Sequence, residues 1–109
     1  MINKTDSILY QKAMDLGVEI YGLVKKLPPE EKYVLSELLM RNVADIATNI
    51  AKSELDGENP KPYLSEARGI IAAVETQLLI CVRVNYLGES DIEVALELCS
   101  EVERMLNTL

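Results

Sequence analysis

The chain has 109 residues, of which 49% are hydrophobic and 27% are charged, and its formal net charge is −7. This length suffices for one core but leaves no room for a second, so we predict one domain spanning residues 1–109. The hydrophobic residues are mostly aliphatic, with five Tyr and no Phe or Trp. Such a composition excludes a disordered chain and suits packing between helices.

The negative charge is concentrated near the C-terminus. Residues 89–109 contain six acids and one arginine, whereas residues 1–88 contain twelve acids and ten cations. Contacts with phosphates require clustered Lys and Arg side chains, so the charge balance does not favour nucleic acid as a partner. The nearly neutral remainder still leaves room for a local basic patch.

The first residues lack the apolar segment of a signal peptide, and no stretch reaches the roughly 20 apolar residues of a membrane span. We therefore predict a cytoplasmic protein without membrane contact. Cys81 and Cys99 fall within apolar stripes, and the chain has no His to join them as a metal ligand. Buried, reduced thiols are expected, with no metal and no cofactor.

The first helix is predicted over residues 6–27, with Thr5 as its N-cap. Lys25 and Lys26 occupy its last turn, where cations complement the helix dipole, and Pro28 ends it. Apolar residues recur at spacings of three or four, which places them on one helical face. This set comprises Leu9, Ala13, Leu16, Ile20, Leu23 and Leu27.

The second helix is predicted over residues 29–53. Pro29 suits its first position, and Glu30 and Glu31 suit its first turn. A polar turn at residues 55–58 follows it. The apolar set comprises Leu35, Leu38, Leu39, Val43, Ile46 and Ile50.

The third helix is predicted over residues 60–87. Asn59 is the expected N-cap, Pro60 the first helical residue, and Gly88 the left-handed residue that ends the helix. Its apolar set comprises Leu64, Ala67, Ile71, Val74, Leu78 and Cys81.

The fourth helix is predicted over residues 91–107, and Ser90 and Glu93 have the spacing of a capping box. Its apolar set comprises Ile92, Ala95, Cys99, Val102, Leu106 and Leu109. No segment alternates in the manner of a strand. Short connections make consecutive helices antiparallel, so the predicted fold is an all-α, up-down-up-down four-helix bundle.

The chain has more apolar surface than one bundle can bury. Residues 78–82 are apolar on every side of the helix, and residues 70–74 nearly so. Each helix of a four-helix bundle still has one side in solvent, so self-association is expected. Further apolar residues off the main stripe of the second helix are Val34, Met40, Ala44 and Ala47.

A polar strip on the second helix is the main candidate site. Asparagine amides beside an aliphatic face need hydrogen-bond partners. One interpretation is a polar contact that sets the register of the bundle or of a subunit interface; the other is a strip that faces RNA or another ligand. The strip comprises Arg41, Asn42, Asp45, Thr48, Asn49 and Lys52, and Arg68 on the third helix is a further candidate member.

No enzymatic motif is found. Without His, the metal-binding Glu-x-x-His pairs of di-iron bundles and the Cys-His and Ser-His nucleophiles cannot form. No glycine-rich phosphate loop is present. Glu93, Glu97 and Glu101 form an acidic row, which we interpret as the solvated side of an amphipathic helix; docking of a basic partner or a divalent cation is the alternative. We therefore predict that the protein is not an enzyme.

Short segments throughout the chain carry a family resemblance. They lie at residues 10–13, 20–21, 27–28, 45–51, 67–69 and 75–79. In this order they resemble the bacterial four-helix-bundle proteins encoded within intervening sequences of 23S ribosomal RNA genes, often called S23 ribosomal proteins. The most specific pieces are Asn-Ile-Ala at 49–51 and Glu-Thr-Gln-Leu-Leu at 75–79.

The resemblance implies an up-down bundle that assembles as a ring, commonly a pentamer, and has no enzymatic activity. Related proteins include the accessory subunits of diversity-generating retroelements, which are basic pentamers that bind a reverse transcriptase and its template RNA. This chain departs from the family pattern near the polar strip. The paired arginines of the family become Met40-Arg41, its Ser and Pro become Asp45 and Ala47, and its Glu-Gly becomes Lys52-Ser53.

Two functions follow as hypotheses. The first is a homo-oligomeric scaffold that recruits a protein partner, with Arg41, Asn42, Asp45 and Asn49 helping to set subunit register. The alternative is an RNA-binding accessory protein that acts with a reverse transcriptase or a structured RNA. In that role the contacts would come from Arg41, Lys52, Arg68 and Arg83.

Overall fold

A computed structural model describes residues 7–56 and 58–109. Within these residues there are four α-helices and no strand, which confirms the predicted all-α class. A short 3-10 turn at Pro29–Glu31 precedes the second helix. The helices are α1 (Ile8–Val24), α2 (Leu35–Leu55), α3 (Lys61–Arg83) and α4 (Glu89–Asn107).

The helices pack in cyclic order. α1 contacts α2 and α4, and α3 contacts the same two helices from the other side. Lys12 near the start of α1 pairs with Glu101 near the end of α4 at 2.8 Å. Lys26, just after α1, pairs with Asp91 near the start of α4 at 2.9 Å. These contacts make α1 and α4 antiparallel, as in the predicted up-down-up-down bundle.

The core is built from one apolar stripe of each helix. The predicted stripes supply most of it, but Leu38 and Leu109 are exposed. Leu38 lies toward α3 on the flank of α2, and Leu109 lies beyond the last turn of α4. The side chains in the centre include Leu16, Ile20, Leu39, Ile46, Ile50, Ile71, Leu78, Val102 and Leu106.

Both cysteines lie in this core as free thiols, as predicted. Burial raises the pKa of Cys99 to about 12, and burial also raises the pKa of Cys81. Only the thiolate is a strong nucleophile or metal ligand. Both thiols therefore behave as small hydrophobic groups at neutral pH.

The first helix differs from the prediction at both ends. Thr5 lies outside the described residues, and Ser7 is the N-cap, with its Oγ accepting from the N–H of Tyr10 at 3.1 Å. α1 ends at Val24, three residues earlier than predicted. The chain tightens there into a turn, in which the N–H of Lys26 donates to the carbonyl of Leu23 at 2.9 Å.

The second helix begins at Leu35 rather than at Pro29. Pro29–Glu31 forms only a 3-10 turn, because Val34 has φ −122° and ψ −91° and interrupts the helical backbone. The Glu31 carboxylate then accepts from the N–H of Leu35 at 3.4 Å. At its other end α2 continues to Leu55, two residues beyond the prediction.

The turn between α2 and α3 also differs in its hydrogen bonds. Asp56 Oδ1 accepts from the N–H groups of Glu58 and Asn59, each at 3.2 Å. Asn59 is therefore part of an Asx turn, and the predicted N-cap role is wrong. α3 begins at Lys61 without a side-chain cap. Gly57 in the predicted turn lies outside the described residues.

Asn85, not Gly88, ends the third helix. α3 stops at Arg83, and Asn85 has the left-handed φ of 65°. The N–H of Asn85 donates to the carbonyl of Val82 at 3.0 Å, and the N–H of Tyr86 donates to that of Cys81 at 2.9 Å. These two bonds form a Schellman motif, in which Asn is the usual alternative to Gly.

Gly88 instead begins the fourth helix. It is the N-cap with φ −88°, and its N–H donates to Asp91 Oδ2 at 2.8 Å. The acid that caps the N-terminus of α4 is thus Asp91, and the capping box predicted at Ser90 and Glu93 is wrong. The bond from Gly88 and the bond from Lys26 lower the pKa of Asp91.

Substitution at Asn85 tests the helix end. Asn85→Ala should lower the free energy of unfolding by about 1 kcal/mol, because a left-handed backbone is costly for a residue with a Cβ and no local polar contact. Asn85→Gly should be at least as stable as the wild type, because glycine has no steric cost there. Urea denaturation of both variants measures this difference. Equal stability of the two variants would contradict the left-handed assignment.

Candidate functional site

The polar strip predicted on the second helix lies on the outer side of α2. Arg41, Asp45, Thr48 and Lys52 are all exposed. The Arg41 guanidinium pairs with Glu37 Oε1 at 2.6 Å, one turn earlier on the same helix. Arg41 is therefore partly neutralised.

The two asparagines of the strip have partners within the chain. Asn42 Nδ2 on α2 donates to Gln77 Oε1 on α3 at 3.1 Å, and both residues are half-buried. Asn49 Nδ2 donates to the carbonyl of Asp45 at 2.9 Å. The Asn42 contact aligns α2 with α3, and the Asn49 contact stays within one helix. A role of the strip in binding remains a prediction.

Arg68 does not join the strip. Its Nη1 donates to the carbonyl of Leu106 at 3.3 Å, so it lies on the side of α3 that faces α4. A cation there is favourable because the carbonyls at the end of α4 carry partial negative charge. The structure thus brings Arg41 and Lys52 onto one helix surface and places Arg68 on another.

A groove between α1 and α2 borders the strip on one side. Its volume is about 860 Å³, and its lining is mostly apolar. Gly17 and Ala47 lie within it, and Val18 on its α1 side is 73% exposed. Among the described residues, the charged side chains that line the groove are Lys25 and Lys52.

The α1 wall of this groove was not predicted from the sequence. Met14, Val18 and Tyr21 are exposed and line it. Their spacings of four and three form a second apolar stripe beside the buried one. This stripe could have been recognised in the sequence. Ala47, expected as extra surface, is instead buried below the groove at 9% exposure.

A second apolar surface lies on the other flank of α2, at its seam with α3. The bond between Asn42 and Gln77 shows which sides of the two helices meet. Toward the start of α2 and the end of α3, four aliphatic residues at helical spacings from this bond are 41–66% exposed. This seam surface consists of Val34, Leu38, Ile80 and Val84. It includes part of the apolar excess predicted for helices two and three.

The acidic residues of α4 are divided between solvent and structural contacts. Glu93 and Glu97 are exposed, whereas Glu101 and Asp91 form the ion pairs with α1. Residues 7–56 and 58–109 contain no group of three or more His, Cys, Asp or Glu side chains that could hold a metal ion. The row therefore contributes to the packing of α4 against α1 as well as to the surface.

A carboxyl pair lies at the seam of α3 and α4. Burial and the neighbouring Glu103 carboxylate raise the pKa of Glu75. The same two carboxylates contribute to the raised pKa of Cys99 beneath them. Like charges on neighbouring helices repel, so this seam is less stable when both acids are ionised.

Comparison with known proteins agrees with this architecture. Residues 5–108 match the family described as 23S rRNA-intervening sequence protein. The chain belongs to this family. The resemblance deduced from the sequence is thereby confirmed, and the matched residues include almost the entire bundle.

A solved structure shows the same fold. It is a crystal structure of a protein of unknown function from the S23 ribosomal protein family of Bacteroides thetaiotaomicron, with 23% identity and a TM-score of 0.83. The match covers 93% of this chain and 96% of that one. No curated protein matches the sequence. In the described part of the chain, no helix is long and apolar enough to cross a membrane.

The pair of Glu75 and Glu103 predicts a pH dependence of stability. The folded protein holds the Glu75 proton more tightly than the unfolded chain, in which the pKa of Glu75 is near its ordinary value of 4.5. Stability should therefore fall as the pH rises through the folded pKa of Glu75. Glu75→Gln should raise the melting temperature at pH 7 and have less effect near pH 4.

The control is Glu93→Gln, which removes one negative charge from the exposed face of α4. Thermal unfolding followed by circular dichroism at both pH values measures the difference. The same increase in melting temperature for both variants would attribute the effect to net charge instead of to the carboxyl pair.

Proposed function

We propose that this family member is a non-enzymatic, homo-oligomeric scaffold or binding protein. The observation that carries the proposal is the pair of apolar surfaces, the groove and the seam surface, that flank α2. Contiguous exposed apolar patches on soluble proteins typically mark interaction sites. A second copy of the chain would remove both surfaces from water, and the family resemblance favours a ring, commonly of five chains.

The chemistry of the ionisable groups supports a binding role. The buried thiols are poor nucleophiles because their pKa values are raised. Lys12, Lys26 and Arg68 hold helices together through contacts with α4. These three cations already have partners on α4. The exposed apolar area is therefore the surface feature that suggests binding.

The polar strip has a place in this proposal. Arg41 and Asp45 are exposed on α2 outside the groove, and Lys52 lies where the strip meets the groove. In an assembly that covers both surfaces, these side chains would lie at the border of the contacts. Polar borders of interfaces contribute orientation and specificity more than affinity. The strip would therefore set subunit register, and the assembled surface would recruit a protein partner.

The first test is the mass in solution. Light scattering of the purified chain at micromolar concentration should report a mass several times that of the 12.2 kDa monomer. Dilution should reduce this mass only below the dissociation constant of the assembly, because the burial of apolar surface favours association. A single-chain mass across this range would contradict the oligomeric proposal.

A second test separates the scaffold from an RNA-binding accessory protein. We expect no specific binding to a structured RNA, because the chain has a formal net charge of −7 and its cations are dispersed or paired. Binding is measured by fluorescence anisotropy between low and moderate salt. Affinity that falls steeply with salt and is lost in Arg41→Gln and Lys52→Gln would favour the RNA-binding role. Glu37→Gln, which removes the partner of Arg41, is the matched control.

A further inference from the structure

Two connections between helices meet at one end of the bundle. Residues 25–34 join α1 to α2, and residues 84–88 join α3 to α4. The Tyr86 hydroxyl of the second connection donates to Glu31 Oε2 of the first at 2.8 Å. Lys26 Nζ of the first connection donates to Asp91 Oδ1, in the first turn of α4, at 2.9 Å. Two separate polar contacts therefore link the two connections.

The two carboxylates of these contacts also cap helices. Glu31 Oε1 accepts from the N–H of Leu35, the first residue of α2, at 3.4 Å. Asp91 Oδ2 accepts from the N–H of Gly88, the N-cap of α4, at 2.8 Å. The first N–H groups of a helix have no partner within that helix. Loss of either contact between the connections therefore also loosens the start of a helix.

Buried side chains lie within and next to the connections. Leu27 and Leu87 come from the connections themselves and complete the core at this end of the bundle. The N–H groups of Tyr86 and Leu87 donate to the carbonyl of Cys81, the last buried residue of α3. Burial, together with the Glu31 carboxylate, raises the pKa of the Cys81 thiol. The two connections, rather than a helix, thus cover the core here.

We propose that the two connections form one clasp, which opens as a unit while the four helices stay folded and exposes Leu27, Leu87 and the Cys81 thiol. Connecting segments open at a lower free energy than core helices, because more of their hydrogen bonds face solvent. Glu31 and Asp91 each belong to a cap and to a contact between the connections, so the two parts of the clasp open together. The clasp does not depend on the proposed oligomer.

The clasp also holds part of the seam surface. Val34 and Val84 lie just outside α2 and α3, at the ends of the two connections. Opening of the clasp therefore displaces two of the four residues of the seam surface without unfolding the bundle. A partner that binds the intact seam surface would favour the closed clasp, because it binds that state more tightly.

The two cysteines report the opening of the clasp within one chain. Iodoacetamide reacts with thiolates, so burial and a raised pKa protect both side chains in the closed state. Cys81 should react through the open clasp, whereas Cys99, in the middle of α4, should react only when the bundle unfolds. In native buffer, peptide mass spectrometry should therefore show faster labelling of Cys81 than of Cys99.

Two substitutions each break one contact of the clasp. Tyr86→Phe removes only the hydroxyl and should raise the labelling rate of Cys81 about fivefold, the change expected for the loss of one hydrogen bond. Lys26→Gln breaks an exposed ion pair and should raise the same rate about two- to fivefold. The labelling rate of Cys99 should stay at its wild-type value in both variants.

The matched controls remove the same groups outside the clasp. Tyr63→Phe removes a hydroxyl near the start of α3, at the far end of that helix, and Lys25→Gln removes the exposed cation beside Lys26. Neither substitution should change the labelling rate of Cys81 or Cys99.

Three results would overturn the clasp. An unchanged Cys81 rate in Lys26→Gln, beside a raised rate in Tyr86→Phe, would show that the two contacts act separately. Equal increases at Cys81 and Cys99 would assign the exposure to unfolding of the whole bundle. Equal labelling of both cysteines in the wild type would show that this end does not open by itself. The mass in solution, measured by light scattering, tests the scaffold proposal separately.

Discussion

The burial of one aliphatic stripe from each helix is the constraint on which the rest of the molecule depends. Leu16, Ile46, Leu78 and Leu106 come from the four different helices, and each is fully excluded from solvent. A helix in a four-helix bundle can turn only one such stripe toward the core. Apolar residues beside the stripe are therefore displaced to the flanks. The groove and the seam surface are direct consequences of this geometry.

Polar contacts between helices determine how these stripes are aligned. The pairing of Lys12 with Glu101 and the bond between Asn42 and Gln77 link different helix pairs. Exposed ion pairs typically contribute only about 0–1 kcal/mol to stability. Their larger effect is on helix alignment, because each pair of side chains can meet in only one register of the two helices. The same register places Met14 and Val18 opposite the small residues of α2 and so creates the groove.

The functional interpretation follows from surfaces rather than from a reactive centre. Cys99 is a buried thiol with a raised pKa, and Arg68 holds the end of α4. Membership of the 23S rRNA-intervening sequence protein family identifies the fold and the lineage. What distinguishes the surface of this chain is that α2 carries an apolar region on each flank and a polar strip between them. Such an arrangement suits a protein that works by association.

The sequence by itself determined the four helices and most of the core, because a period near 3.6 residues is a local property of the chain. The family followed from the resemblance of short segments such as residues 49–51 and 75–79. It did not determine the ends of the helices. Asn85 took the place expected for Gly88, and α2 began at Leu35, because competing backbone hydrogen bonds decide such boundaries. Only the tertiary structure revealed the groove, since its walls come from helices distant in sequence. It also separated Arg68 from Arg41 and Lys52, because the side of α3 that faces α4 depends on the packing of all four helices.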